Sequence, residues 1–150
     1  YSSAASDVYK RQRSVWAMIS MQTRKPIDLL AINDGDIVNY VCDEPCPIEK
    51  PSRIKVQATE PVASLTAKYS DIDINGHVNS IRYIEHILDL FPLEKYRTQR
   101  IRRFEMAYVA ESYFGDELSF FLDDDGNGVY GVEVKKNGSE TVCRAKVIFE

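Results

Sequence analysis

A chain of 150 residues suffices for one ordinary domain, or for one domain with part of a second, and can bury ~70% of its unfolded surface without disulfides or a metal to hold the core. Hydrophobic and charged fractions of 44% and 28% exclude wholesale disorder, and 19 basic against 23 acidic residues, a formal net charge of −4, exclude a general attraction to nucleic acid or anionic lipid. The longest uncharged run, Ser14 to Thr23, is too short for a membrane span of about 18 residues, and three cysteines at unmatched spacing (Cys42, Cys46, Cys143) read as reduced cytosolic thiols rather than a zinc site.

Residues 1–12 (YSSAASDVYKRQ) have no periodicity and read as a non-native leader, with no apolar stretch behind a basic start to mark a signal peptide. From Arg13 to Met21, Val15, Ala17, Ile19 and Met21 alternate with Trp16, Met18 and Ser20. Both faces are largely apolar, which predicts a buried strand with Trp16 in a core. Without an upstream partner, residues 13–24 read as the last strand of a truncated N-terminal domain. Pro26, Pro45, Pro47, Pro51 and Pro61 then punctuate residues 25–63 and predict an interdomain linker, with at most a turn of structure over Asp34–Val41.

Residues 64–150 are better patterned and read as a second domain. Leu65, Ala67 and Tyr69 alternate as a strand. A helix is predicted from about Val78 to Phe91, stopped by Pro92, with Ile81, Ile84, Leu88 and Phe91 on one face and Ile87 beside them. His86 falls on the opposite face with Arg82, Glu85 and Asp89 and reads as solvated surface. Four strands follow, built on Phe104–Ala110, Leu118–Leu122, Tyr130–Val134 and Cys143–Phe149, with hairpin turns at Asp123–Gly128 and Asn137-Gly138. That order predicts an antiparallel meander. One helix on one antiparallel sheet is an α+β layer architecture, and its free edge and face predict pairing with a second such unit.

The stretch SDIDINGHVNSIRYIEHI, Ser70 to Ile87, carries the chemistry. Asp71, Asp73, Asn75 and Gly76 begin like a calcium loop, but position twelve, where a bidentate Glu must close the site, is Arg82. A second acidic turn, counted from Asp123, has Val134 there. No metal or cofactor is expected. Asp73, Asn75 and His77 alternate, so in extended backbone their side chains point the same way. They lie just ahead of a helix whose first amides have no intrahelical partner and favour a developing oxyanion. The plainer alternative is that Asn75 or Asn79 caps the helix while the aspartates cover its positive end.

DIDINGHVNSIRYIEHI resembles the D-x-N-x-H-V-N-N-x-x-Y-I signature of the acyl-[acyl carrier protein] thioesterases, and Ser14–Ile27 (SVWAMISMQTRKPI) resembles the end of that family's first hot-dog domain. The resemblance runs with gaps from Arg13 to Glu150. It implies a tandem hot-dog protein, of which this chain holds the second domain and the tail of the first. It further implies catalytic roles for Asp73, Asn75 and His77, and for Glu111 in the segment EMAYVAES. Ser112 stands where plant members have a cysteine, which argues against a cysteine nucleophile, and Ser80 replaces the second Asn of the usual HVNN. The activity implied is hydrolysis of fatty acyl-[acyl carrier protein] in the bacterial cytoplasm, releasing free fatty acid. Glu111, with His77 and Asn75, would deprotonate a water, Asp73 would orient its neighbours, and backbone amides of Gly76, Val78 and Asn79 would hold the oxyanion. A thiolate leaves readily, with a free-thiol pKa of about 8.5, so little acid assistance is needed.

Lys95, Arg97, Arg100, Arg102 and Arg103 cluster without an intervening acid. They read either as a solvated loop or as a docking patch for an acidic partner. The resemblance supplies the candidate, an acyl carrier protein bearing its chain on phosphopantetheine. Nucleic acid fits poorly, since no recognition motif accompanies the arginines. Two other readings remain: a hot-dog acyl-CoA thioesterase, and a non-catalytic acyl-binding module.

Overall fold

In the computed structural model, which describes residues 12–23, 25–42 and 44–150, the chain divides into two units, one ending at Pro51 and the other beginning at Ser52. The leader expected over 1–12 lies, apart from Gln12, outside the described residues. In the first unit, Leu29–Ala31 and Asn33–Tyr40 form short 3-10 turns, the second kinked where Asp34 and Gly35 adopt left-handed backbone. The strand expected from Arg13 to Met21 does not form a ladder, and only Ile19 bridges to Pro26. Trp16, expected in a core, is 84% exposed. A strand apolar on both faces needs a layer on each side, and the described residues supply neither.

The second unit contains β1 (Ala63–Thr66), α1 (Ser80–Leu88), α2 (Leu93–Thr98), β2 (Ile101–Tyr108), β3 (Glu117–Asp124), β4 (Val129–Lys136) and β5 (Glu140–Phe149). All five strands form one antiparallel sheet in the order β1-β3-β4-β5-β2. The expected four-strand meander is therefore only three strands long. β2 does not pair with β3 but crosses to the far edge, beside β5. The hairpins form where expected, helped by positive φ at Gly126, Gly128, Asn137 and Gly138. The proline-rich linker also ends earlier than its composition suggests. Ser52 bonds Glu105, the amides of Gln57 and Ala58 bond the Asp123 carboxylate, and Val62 bonds the Phe120 carbonyl. This strap crosses β4 at Gly131, where a Cβ would sit 3.4 Å from the Lys55 carbonyl.

Alternation sorts the sheet into two faces. Leu118 and Phe120 of β3, Val132 and Val134 of β4, and Cys143, Ala145, Val147 and Phe149 of β5 form the core with α1. Burial among them pushes the Cys143 thiol up to about 12. The buried stripe of α1 is Tyr83, Ile87 and, past its end, Phe91, not the expected Ile81–Ile84–Leu88–Phe91 row. Ile81 is 55% exposed. Two adjacent apolar rows sit on this helix, and hydrophobicity alone does not choose between them. Asn79 caps α1 by accepting from the Ile81 amide at 2.9 Å. The helix stops before Phe91, whose following proline disfavours helical backbone, and α2 begins at once after Pro92.

The opposite face holds two buried carboxylates. Burial alone would raise the Glu105 carboxyl, but the Ser52 amide and hydroxyl at 2.9 and 3.0 Å and the Arg103 guanidinium outweigh it. Glu133 is likewise held low against burial, by Thr141, Arg144 and Lys135. A carboxyl depressed in the folded state stabilises above its unfolded value, here 4.5, and loses that contribution as pH falls through its folded one. The urea midpoint is therefore expected to drop steadily below about pH 4.5, with a shallower drop in Glu133→Gln. An equal pH slope in the variant would rule Glu133 out as a source.

Candidate active site

The loop from Asp71 to Asn79 is a closed turn rather than extended chain. Ile72 bridges Val78, the Asp73 amide bonds the His77 carbonyl at 2.8 Å, and the Gly76 amide bonds the Asp73 carbonyl at 3.0 Å. Asn75-Gly76 forms the tip, and Gly76 has φ 82°, a conformation that suits glycine. Asp73, Asn75 and His77 thus come together by turning, not by strand alternation. The Asp73 carboxylate accepts from the amides of Asn75 and His77 at 2.8 and 3.2 Å. Desolvation pushes its carboxyl up, but these bonds, with the imidazole and the Asn75 side chain, hold it below the usual range. Its place is to orient the turn that carries Asn75 and His77.

His77 bridges the backbone of Tyr113, and the Val78 amide bonds the Ser112 carbonyl at 2.8 Å. This pairing lays the turn against the segment after β2. Glu111, expected late in a strand, lies three residues past its end. His77 Nε2 sits 3.5 Å from Glu111 Oε2, with side chains 31% and 46% exposed, so the pair is open to a ligand. Residues 111 and 113 face His77, and Ser112 between them is fully buried. Ser112 Oγ and the Tyr83 hydroxyl have no hydrogen-bond partner among the described residues. Burial pushes the Tyr83 phenol up to about 12. The Ser112 side chain, enclosed in this way, is shielded from solvent, unlike those of Glu111 and Tyr113 on either side.

The expected oxyanion amides are already taken. Gly76 N bonds the Asp73 carbonyl, Val78 N the Ser112 carbonyl, and Asn79 N the Asp71 carbonyl at 2.7 Å. The loop uses them to hold its own shape, which leaves side-chain donors such as the Asn75 amide and the His77 imidazole for an oxyanion. His86 is not solvated surface. It is half-buried, with Nε2 3.3 Å from the buried Asp71 carboxylate and its ring edge-on to Phe120. Asp71 also accepts from the Lys68 amide at 2.8 Å, so this second histidine braces the loop from below.

Two contacts at the site were not anticipated. Tyr113 donates to Glu111 Oε2 at 3.1 Å and packs edge-on against His77 at 5.2 Å. Lys136 Nζ donates to the Glu111 carbonyl at 2.7 Å. The signal for Tyr113 is its spacing two residues beyond Glu111, whereas Lys136 arrives from β4 with no local signal. The five basic residues have different partners. Arg103 pairs with buried Glu105, and Lys95 donates to the Tyr130 hydroxyl at 2.8 Å and covers the rings of Tyr130 and Phe149. Arg97 pairs with Glu94 at 3.1 Å, and Arg102 lies 3.9 Å from Glu150. β2 is roughly 23 Å long from Ile101 to Tyr108, and the arginines from Arg100 to Arg103 lie toward the end away from Glu111. Among the described residues no cluster of His, Cys, Asp or Glu is arranged to hold a metal ion, and no helix is long and apolar enough to cross a membrane.

The family model for the acyl-ACP thioesterase C-terminal domain matches residues 54–150. Among solved structures, an acyl-ACP thioesterase from Bacteroides thetaiotaomicron is 75% identical with a TM-score of 0.81, over 88% of this chain and 53% of that one. The 12:0-ACP thioesterase from Umbellularia californica shares the fold at 21% identity and a TM-score of 0.68, over 88% of this chain and 52% of that one. A curated chloroplastic palmitoyl-acyl carrier protein thioesterase from Cuphea hookeriana is 30% identical over 131 residues, covering 83% of this chain and 32% of that protein. The chain thus spans about a third of the curated relative and about half of each solved one. Its sheet and central helix are a hot-dog fold, α+β as expected.

Proposed function

Because this chain belongs to the acyl-ACP thioesterase family, we propose that it is the C-terminal, catalytic hot-dog domain of an enzyme that hydrolyses fatty acyl-[acyl carrier protein] to free fatty acid. The observation that carries this reading is the His77–Glu111 pair, 3.5 Å apart and open to solvent on a turn held by Asp73. Glu111, within reach of His77, takes a proton from a water as the water oxygen adds to the acyl carbonyl carbon. Donors at Asn75 and His77 stabilise the resulting oxyanion. As the carbonyl re-forms, the carbon–sulfur bond breaks and the pantetheine sulfur leaves as thiolate, and the proton that Glu111 took from the water passes to it through His77 or solvent. No covalent acyl-enzyme is formed, and no cofactor takes part.

The 75% identity to the Bacteroides protein supports a bacterial enzyme, and a cytoplasmic one is the reading that goes with it. An acidic acyl carrier protein remains the proposed partner, met by the exposed Arg97, Arg100 and Arg102 rather than by all five basic residues. Exposed Ile81, Tyr108 and Val109 offer a surface for a second hot-dog unit, in tandem or from another copy. The test is thiol release from long-chain acyl-[acyl carrier protein], with the matching acyl-CoA alongside. Preferred turnover of the carrier-protein thioester is expected. Equal or better use of acyl-CoA would assign the chain to coenzyme A chemistry, and binding without turnover would make it an acyl-binding module.

A further inference from the structure

We infer that Tyr113 is a positioning residue for the proposed thioester hydrolysis, holding Glu111 and His77 in register with each other. Three contacts converge on it. Its hydroxyl donates to Glu111 Oε2 at 3.1 Å, the same oxygen that faces His77 Nε2 at 3.5 Å. Its ring stands edge-on to the imidazole, with centroids 5.2 Å apart and planes at 81°. Its backbone bridges that of His77. One residue therefore touches the carboxylate, the imidazole and the main chain that carries the imidazole.

Tyr113 is itself anchored. Its amide donates to the Asp116 carboxylate at 2.9 Å, and Lys136 Nζ lies over its ring at 5.7 Å while donating to the Glu111 carbonyl. Asn137 also bonds Asp116, at 3.0 Å. The anchors come from the start of β3 and the end of β4, so the sheet fixes the tyrosine and the tyrosine fixes the pair. A half-exposed glutamate has several rotamers in water, and only some bring an oxygen to the imidazole. A hydrogen bond to one oxygen selects among them, and misplacement by about 1 Å at a reacting group can cost about a hundredfold in rate.

This inference rests on the thioesterase reading, and two variants with two readouts separate the one from the other. Tyr113→Phe removes the donor and keeps the ring; Tyr113→Leu removes both. On acyl-[acyl carrier protein], kcat is expected to fall about tenfold in Tyr113→Phe and about a hundredfold in Tyr113→Leu, with KM within about twofold of the wild type. Nitrogen-15 spectra of the His77 ring are expected to show one dominant tautomer in the wild type and averaging in Tyr113→Leu. Unchanged kcat in both variants with unchanged His77 spectra would overturn the inference and leave the thioesterase reading intact. A rise in KM at constant kcat would also overturn it, by making Tyr113 a binding group. A wild-type chain that hydrolyses neither thioester would overturn the thioesterase reading, and the spectra would still decide whether Tyr113 orders His77.

Discussion

Glu111→Ala and His77→Ala are each expected to lower turnover of acyl-[acyl carrier protein] by about a hundredfold or more while leaving the fold unchanged. A positioned base contributes ~10²–10⁴ in rate, and both side chains are partly exposed, so neither supports the core. Residues that act as a unit do not add. The double variant should therefore fall little below the worse single one, whereas independent roles would multiply. The control is His86→Ala. Its imidazole braces Asp71 beneath the loop rather than facing the ligand side, so its main effect should be on stability. Steady-state kinetics on variants with matched circular dichroism decide the matter, and a loss below about threefold in Glu111→Ala would remove that carboxylate from the mechanism.

Phe120→Ala should be the most damaging single change to the fold, at about 3–5 kcal/mol. Phe120 is 1% exposed at the middle of β3, which pairs with both β1 and β4. Its main chain is used on both sides, so little relaxation into the vacated volume is available, and a cavity remains. The ring also borders His86, so the loss should reach the brace under the loop. Urea titration reads the cost as a lower midpoint at constant slope. A loss under about 1.5 kcal/mol would show that the surrounding side chains collapse into the space.

Period-two alternation makes most of the inner face of β3, β4 and β5 legible, because those strands face the helix on one side; Val142, buried beside Cys143 where the β4–β5 register shifts, breaks the alternation. The helix was found but turned about its axis. Tyr83 and Ile87 face the sheet while Ile81 looks outward, and two equally apolar rows do not reveal which one meets the sheet. The pairing of β2 with β5 was hidden because nothing local distinguishes an edge strand that crosses over from one that continues a meander. A motif and a resemblance point to His77 and Glu111, and the approach of their side chains is a contact across 34 positions that periodicity cannot express. The amides of Gly76, Val78 and Asn79 illustrate a related limit: position ahead of a helix marks them as unpaired, but loop carbonyls and the segment after β2 accept from them.

The parity of residues 111 to 113 sets a rule for how this chain can change length. Glu111 and Tyr113 look toward His77 and Ser112 looks inward. Inserting or deleting one residue between Tyr108 and Glu111 would turn the carboxylate inward and bring a serine to the His77 side. That single step would part the carboxylate from His77 and bury a charge without a partner. Indels in this connection should therefore persist only in pairs, while the exposed hairpin tip at 124–127 can gain or lose residues one at a time.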